Sequence, residues 1–198
     1  MSYETIQPPF TLEFLKMSKD ELRNYEKWFR SQIPIRIRQL ADAVKATPGF
    51  SAWEPGFTPH SLGRLGEWLA EEVETRPRTE AEIRELARDS PYPIDIPKET
   101  LTNRSYSLAV DTGMYFSEVL LRNNPSLKWQ HALDDKRSAN YGQPVLVGRG
   151  SVPLNPVRIA LTLAFGLVDR SVTATRLLEL YDIWTDMLIR GKPPLSKR

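Results

Sequence analysis

The chain has 198 residues, 40% of them hydrophobic, which suits one globular domain with a substantial core. Its 27 Lys and Arg residues nearly balance 25 Asp and Glu residues, so the net charge of +2 indicates neither a nucleic acid nor a membrane surface as partner. The sequence contains no cysteine, which excludes disulfide bonds, thiolate metal ligands and cysteine nucleophiles.

The N-terminal stretch and the most apolar run both bear on localisation. The stretch MSYETIQPPF does not show the basic and then apolar pattern of a signal peptide. The run IALTLAFGLV, residues 159–168, has about half of the ~20 residues that a membrane-spanning helix needs. We therefore expect a cytoplasmic protein, which the lack of cysteine suits.

The first predicted helix begins at a capping box, Ser18 followed by Glu21. Apolar residues then recur at spacings of three and four along one helical face: Leu22, Tyr25, Phe29 and Ile33. Pro34 interrupts this pattern, because proline lacks the N–H of the helical hydrogen bond and its ring clashes with the preceding turn. We expect two helical pieces at an angle within residues 18–46.

Two shorter helices follow, each with a capping signal. Thr58 is a candidate N-cap with Pro59 in the first turn, and Thr79 with Glu82 forms a second capping box. The stretch DSPYPIDIP, residues 89–97, is an extended, proline-rich connector and the best candidate for a boundary between subdomains.

A long helix is predicted from Pro97 to about Arg122, where the turn NNP ends it. Gly113 in its interior costs about 1 kcal/mol relative to alanine, and a close approach by another element would explain it. Glu118 lies four residues before Arg122, a spacing that predicts an ion pair on the helix surface.

The strand candidates are LKWQHAL and QPVLVG, which predict an antiparallel hairpin at residues 127–148 with the loop DDKRSANYG between them. Asn155 then caps a helix with Pro156 in its first turn. Residues 157–168 are apolar nearly all round, which predicts a helix buried on several sides. A last helix ends at Gly191.

These elements predict a mainly helical α+β fold. About six helices surround the buried helix 156–168, and one small antiparallel β-hairpin packs beside them. We expect a single domain, residues 1–198, with the connector at 89–97 as its only candidate boundary.

The residues that carry chemistry are scattered. His60 and His131 fall in different elements and have no metal-ligating neighbours at a suitable spacing, so no metal site is predicted. The stretch GRGS, residues 148–151, could cradle an anion through its backbone, but a plain strand-to-helix loop explains it better. We predict no catalytic residue and no cofactor.

The hairpin loop is the predicted partner-binding surface. It carries charges of both signs and one aromatic residue on what should be a rigid support, and binding groups are often found on such loops. The predicted site consists of five residues: Asp134, Asp135, Arg137, Tyr141 and, beyond the second strand, Arg149.

Five stretches together resemble a group of small bacterial cytosolic proteins of unassigned function: DELRNYEKWFRSQIPIRIRQL, SLGRLGEWL, GMYFSEVLLRNNPSLKW, GQPVLVG and PLNPVRIALTLAFGL. The resemblance covers about residues 18–168. Its motifs are Trp, Pro, Gly and apolar positions, so it implies a fold family rather than a reaction. Proteins of this size and style often look like immunity proteins encoded beside toxins.

Three functional hypotheses remain at this stage. The leading one is a non-enzymatic protein-binding domain, with a toxin-neutralising immunity protein as its specific form. The second is an enzyme that uses carboxylates and Arg149 on a small molecule. The third is a structural or regulatory homo-oligomer. An enzyme would show a deep polar pocket with a shifted carboxylate, and a binding protein an exposed apolar patch.

Overall fold

The computed structural model describes residues 3–89 and 95–191. Helix accounts for 54% of this part of the chain. Six α-helices and a π-helical turn lie in it: α1 (Lys19–Ala46), α2 (Ser61–Glu72), α3 (Glu80–Asp89), α4 (Asn103–Asn123), α5 (Pro156–Val168), α6 (Arg176–Thr185) and the π turn Asp186–Arg190. The mainly helical α+β class is confirmed.

The strands form two small antiparallel pairs. The predicted hairpin is present as β3 (Lys128–His131) and β4 (Pro144–Val147), with Trp129 opposite Leu146. A second pair, β1 (Thr75–Pro77) and β2 (Glu99–Leu101), was not predicted. Strands of three residues are too short to show the alternation by which a strand is recognised in a sequence.

Helix α1 begins at the predicted capping box. The Glu21 N–H donates to the Ser18 hydroxyl at 3.2 Å, and the Ser18 N–H donates back to the Glu21 carboxylate at 2.7 Å. The predicted division at Pro34 into two separate helical pieces is wrong, because α1 runs unbroken from Lys19 to Ala46, whereas an angle within this helix stays a prediction. Pro34 is exposed, so water can reach the Arg30 carbonyl that loses its helical donor.

The predicted helix boundaries shift at two places. The long helix begins at Asn103 rather than at Pro97, since the residues before it pair as β2. Helix α2 begins at Ser61, and Thr58 is not its N-cap, although the Thr58 carbonyl accepts a hydrogen bond from the Ser61 hydroxyl at 2.6 Å.

Helix α4 is the most extensively buried helix. Thirteen of its 21 residues are buried, because it packs against α1, α2, α5 and α6. Helix α5, which the sequence predicted as the buried one, buries five of its 13 residues and leaves several apolar side chains half-exposed. Some of the apolar residues of α5 therefore pack on α4, and others lie on a partly exposed outer face of the helix.

The predicted close approach at Gly113 is present where α4 crosses α5. A Cβ at Gly113 would lie 2.7 Å from the Pro156 carbonyl oxygen and 2.9 Å from the Val157 Cα. The absence of a side chain therefore lets the two helix backbones touch.

The candidate boundary at residues 89–97 includes residues 90–94, which lie outside the described residues, so the single-domain arrangement stays a prediction. In the part of the chain that the structure covers, no helix has the length and apolar character needed to cross a membrane.

Candidate functional site

The predicted loop between β3 and β4 is exposed at its tip. Asp134, Asp135 and Arg137 are all exposed, and the Arg137 side chain retains 93% of its accessible surface. The Asp135 carboxylate accepts the Arg137 backbone N–H at 2.9 Å and lies 3.3 Å from its guanidinium. This local turn holds charges of both signs at the surface.

Tyr141 was predicted to contact a partner from the exposed loop, but its side chain is only 6% exposed. The loop folds back onto the core beside it: a Cβ at Gly142 would lie 2.7 Å from Leu22 and 3.1 Å from Phe14. Tyr141 therefore supports the loop from beneath, and its ring is not offered to a partner in this conformation.

Arg149 is exposed, but the fold does not bring it to the loop. The loop ends just before β4 begins at Pro144, and Arg149 comes two residues after β4 ends at Val147. The length of a four-residue strand therefore separates Arg149 from the loop. The Gly150 N–H beside it donates to the Leu188 carbonyl at 2.8 Å, which fixes the segment against the π turn instead. The five predicted site residues thus divide into an exposed loop tip, a buried ring and a distant arginine.

A groove that sequence reasoning missed lies between α1 and the C-terminal half of α4. We call it the Phe57 groove, and its volume is about 370 Å³. It is lined by Arg30, Ile33, Pro34, Ile37, Phe57, Glu118, Leu121, Arg122 and Trp129.

Phe57 has a backbone conformation that bulky residues rarely adopt, with φ at +52°. Three contacts hold it there. Its N–H donates to the Tyr115 hydroxyl at 3.1 Å, its carbonyl accepts from the Asn123 amide at 2.8 Å, and the Arg122 guanidinium lies 3.4 Å from the centre of its ring. The ring is therefore fixed at the groove by contacts to one face of α4.

The charges along the groove are paired. Arg122 lies 3.3 Å from Glu118, which confirms the predicted ion pair. Arg30 lies 3.6 Å from Glu26, which in turn lies 3.9 Å from His131. The groove thus combines two aromatic rings with two arginines and the carboxylate of Glu118. Glu26 and His131 continue this row of polar groups beyond the groove toward the hairpin loop.

A second feature is a buried ionic network that ties the N-terminal segment to α1 and α4. Arg36 donates two hydrogen bonds of 2.7 Å to the carboxylate of Asp111, and the Tyr3 hydroxyl donates to the same carboxylate. Burial raises the pKa of Asp111 to about 6, although the hydrogen bonds from Arg36 and Tyr3 favour its ionised form. Both carboxylate oxygens are occupied, so this network ties the N-terminal segment and α1 to α4 and leaves no oxygen of Asp111 for a ligand.

The two histidines lie in different elements. The Nε2 atom of His131 lies 3.1 Å from the Gly142 carbonyl, and His60 lies at the start of α2. Within residues 3–89 and 95–191, no three potential metal-ligating side chains of the His, Cys, Asp or Glu type gather at one place.

Sequence reasoning missed the Phe57 groove because its residues come from four separate stretches. A positive φ at phenylalanine has no sequence signal, since the turn formers that signal it are glycine and asparagine. Comparison of the chain with protein-family models, with curated proteins and with solved structures finds no match.

Proposed function

We propose that this protein is a non-enzymatic binding domain whose ligand is another protein, and that the Phe57 groove is the centre of the contact surface. The observation that carries the proposal is the conformation of Phe57. A strained bulky residue is held by three separate contacts at the edge of a groove, and backbone strain of this kind tends to occur at binding and active sites.

A fixed aromatic ring suits protein recognition for an energetic reason. Ordering a free side chain on binding costs about 0.5–1.5 kcal/mol, and a ring that is already ordered avoids most of that cost. The few residues that dominate the binding energy of protein interfaces are also enriched in Trp, Tyr and Arg. Phe57, Trp129 and Arg122 bring aromatic and arginine side chains together.

The charges favour a partner with both signs on its surface. Glu118 and Arg122 are 22% and 53% exposed at their side chains, so each can contact a partner while keeping its own ion pair. Such contacts fix the register of an interface more than they add affinity. The exposed loop residues Asp134, Asp135 and Arg137 would extend this surface beyond β3.

The specific form that we propose is an immunity protein that neutralises a toxin in the cytoplasm, in line with the family resemblance of the sequence. The enzyme hypothesis has less support, because the carboxylate with a raised pKa, Asp111, is occupied by Arg36 and Tyr3. Arg149 also lies at the far end of the hairpin from the loop carboxylates. A homo-oligomer would use the same groove between copies.

Co-expression tests the proposal directly. The protein is produced with each protein encoded by a neighbouring gene, complexes are purified, and affinity is measured by calorimetry. We expect one neighbour to co-purify, and Arg122→Ala to weaken its binding by about 1–2 kcal/mol. Arg176→Ala is the matched control, because Arg176 also pairs with a carboxylate on a helix surface, at 3.1 Å, outside the groove.

Three outcomes would contradict the proposal. One is that no neighbouring gene product forms a complex. Another is that Arg122→Ala and Arg176→Ala bind a confirmed partner equally well. The third is a concentration-dependent dimer in sedimentation analysis that Arg122→Ala dissociates, which would favour the homo-oligomer.

A further inference from the structure

A cleft of about 510 Å³ lies apart from the Phe57 groove and shares no lining residue with it. The N-terminal segment, residues 3–17, forms one side of the cleft. Trp28 of α1, Val110 of α4 and Leu161 of α5 lie on the others. Its volume falls within the roughly 300–1,000 Å³ of sites that hold small molecules.

The lining of the cleft is neutral. Among the residues that the structure describes, none of those around the cleft is charged. Rings form much of the wall: Phe14, Tyr25, Trp28, Phe29 and Tyr106. Asn103, Ser107 and Gln143 add a few uncharged polar groups. An ion placed here would lose hydration without meeting an opposite charge, so the lining favours an uncharged and largely apolar ligand.

The cleft is built into the fold, because the start of the N-terminal segment is hydrogen-bonded to the core. The Ile6 N–H donates to the Ser107 hydroxyl at 2.9 Å, and Arg36 donates to the Glu4 carbonyl at 2.9 Å. These bonds fix the side of the cleft that the segment provides.

Leu12 lines the cleft with an unfavourable backbone conformation and an exposed apolar side chain. Its φ is +60°, and its apolar side chain is 41% exposed. The flanking residues explain the backbone, since Phe10 and Phe14 both pack on the ring of Tyr25, at 5.6 and 5.0 Å between ring centres. The chain must turn sharply between them. Leu12 lies in this turn and lines the cleft with an exposed apolar side chain.

We propose that this cleft binds an uncharged, largely apolar small molecule with an aromatic or aliphatic body, and that the Leu12 side chain covers the bound molecule. The cleft shares no lining residue with the Phe57 groove, but the ring of Phe29 in the cleft packs 5.9 Å from that of Trp129 in the groove. The proposal does not rest on the proposed protein contact.

The test uses two fluorescent probes with the same ring system. N-phenyl-1-naphthylamine is uncharged, and 1-anilinonaphthalene-8-sulfonate carries a sulfonate. Fluorescence titration of the purified protein should show one molecule of the uncharged probe per chain. Its affinity should exceed that of the sulfonate by about tenfold or more, because the cleft offers the anion no countercharge.

Three variants locate the binding. Val110→Phe fills the cleft and should abolish binding of the uncharged probe. Leu12→Asn introduces a residue that tolerates the left-handed backbone conformation and removes the apolar side chain. It should weaken binding of the uncharged probe about fivefold or more. Leu86→Asn is the matched control, because Leu86 is a 39% exposed leucine on α3, outside the cleft, and should bind as the wild type does.

Equal affinity for the two probes would overturn the proposal. Unchanged binding by a folded Val110→Phe variant would overturn it as well, and if that variant does not fold, unchanged binding by Leu12→Asn has the same force. A protein partner displaced by the uncharged probe in competition would assign the cleft to protein binding instead. The probe titrations do not depend on the co-expression experiment; only the competition requires a partner found there.

Discussion

At the residue scale, the hydroxyl of Tyr115 supports the conformation on which the proposed function depends. It accepts the Phe57 N–H at 3.1 Å and lies 2.6 Å from the Ser61 hydroxyl. Tyr115→Phe leaves the Phe57 N–H without this partner, and we expect a loss of about 1–3 kcal/mol in the free energy of unfolding by urea.

Tyr181→Phe is the matched control for that experiment. The Tyr181 hydroxyl is 3.4 Å from the Asn124 amide, so its removal should cost less than about 0.5 kcal/mol. Equal effects of the two substitutions would show that the Tyr115 hydroxyl does not hold Phe57.

The buried pair of Arg36 and Asp111 gives the second prediction at this scale. Arg36→Met leaves the Asp111 carboxylate buried without its cation, and we expect unfolding in urea to become easier by about 3–5 kcal/mol. The double variant Arg36→Met with Asp111→Leu removes both charges and should recover a large part of that loss. A double variant as unstable as the single one would contradict this account.

Sequence reasoning missed this network, although both of its charged residues lie at core positions. Arg36 lies between buried apolar positions of α1, and Asp111 lies in the apolar α4, so each was visible as a charge among core positions. Their pairing was not, because 75 residues separate them and the contact exists only once α1 packs on α4. Likewise, Tyr141 looked like a loop residue until the packing of Gly142 showed that the loop folds inward.

At the element scale, the continuity of α1 through Pro34 leads to a prediction about stability. Alanine restores the missing helical hydrogen bond, and Pro34 is exposed, so no core contact is lost. Part of the roughly 3 kcal/mol difference in helix propensity is offset because proline also restricts the unfolded chain. Pro34→Ala should stabilise the protein by about 1–2 kcal/mol in urea unfolding, and a destabilised variant would count against a continuous helix.

The crossing of α4 and α5 gives a prediction with a control in the same chain. Gly113→Ala places a Cβ within 2.7–3.0 Å of the backbone of Pro156 and Val157, and we expect a loss of about 1–3 kcal/mol or more. Gly63→Ala on α2 meets nothing closer than 3.8 Å and should stabilise the protein by up to about 1 kcal/mol. Thermal unfolding of both variants tests whether Gly113→Ala lowers the stability of the protein and Gly63→Ala raises it.

The helices were predictable to the extent that local chemistry determines them. The capping residues Ser18, Thr79 and Asn155 mark real helix starts, because side-chain caps act within one turn. The pair β1–β2 was not predictable, since it depends on hydrogen bonds between segments 22 to 26 residues apart in sequence. The same reason hid the Phe57 groove, whose walls come from α1, the loop before α2, α4 and β3. The start of α4 did have a local signal that sequence reasoning missed, because the Thr102 hydroxyl accepts the Ser105 N–H at 3.1 Å as an N-cap.

At the scale of the whole molecule, contacts between distant parts of the chain predict a single cooperative unfolding transition. The Tyr3 hydroxyl bonds to Asp111, 108 residues further along, and Leu188 near the other end belongs to the same hydrophobic cluster as Tyr25. Both ends therefore contribute to one core. Calorimetric and van't Hoff enthalpies of unfolding should agree, whereas two transitions would place a subdomain boundary at residues 89–97.

Helix α3 should be the exception to this cooperativity. Its described side chains are half-exposed or exposed, and it is held through the ion pair of Glu82 with Arg76 on β1, at 2.6 Å. Elements with few buried contacts open locally at a lower free energy than the core. In hydrogen exchange at neutral pH, the amides of α3 should exchange well before those of α4. Arg76→Ala should speed up the exchange of the α3 amides and leave that of the α4 amides unchanged. Equal protection of α3 and α4 would show that α3 belongs to the cooperative unit. Unchanged exchange of the α3 amides in Arg76→Ala would show that the ion pair with Arg76 does not limit the opening of α3.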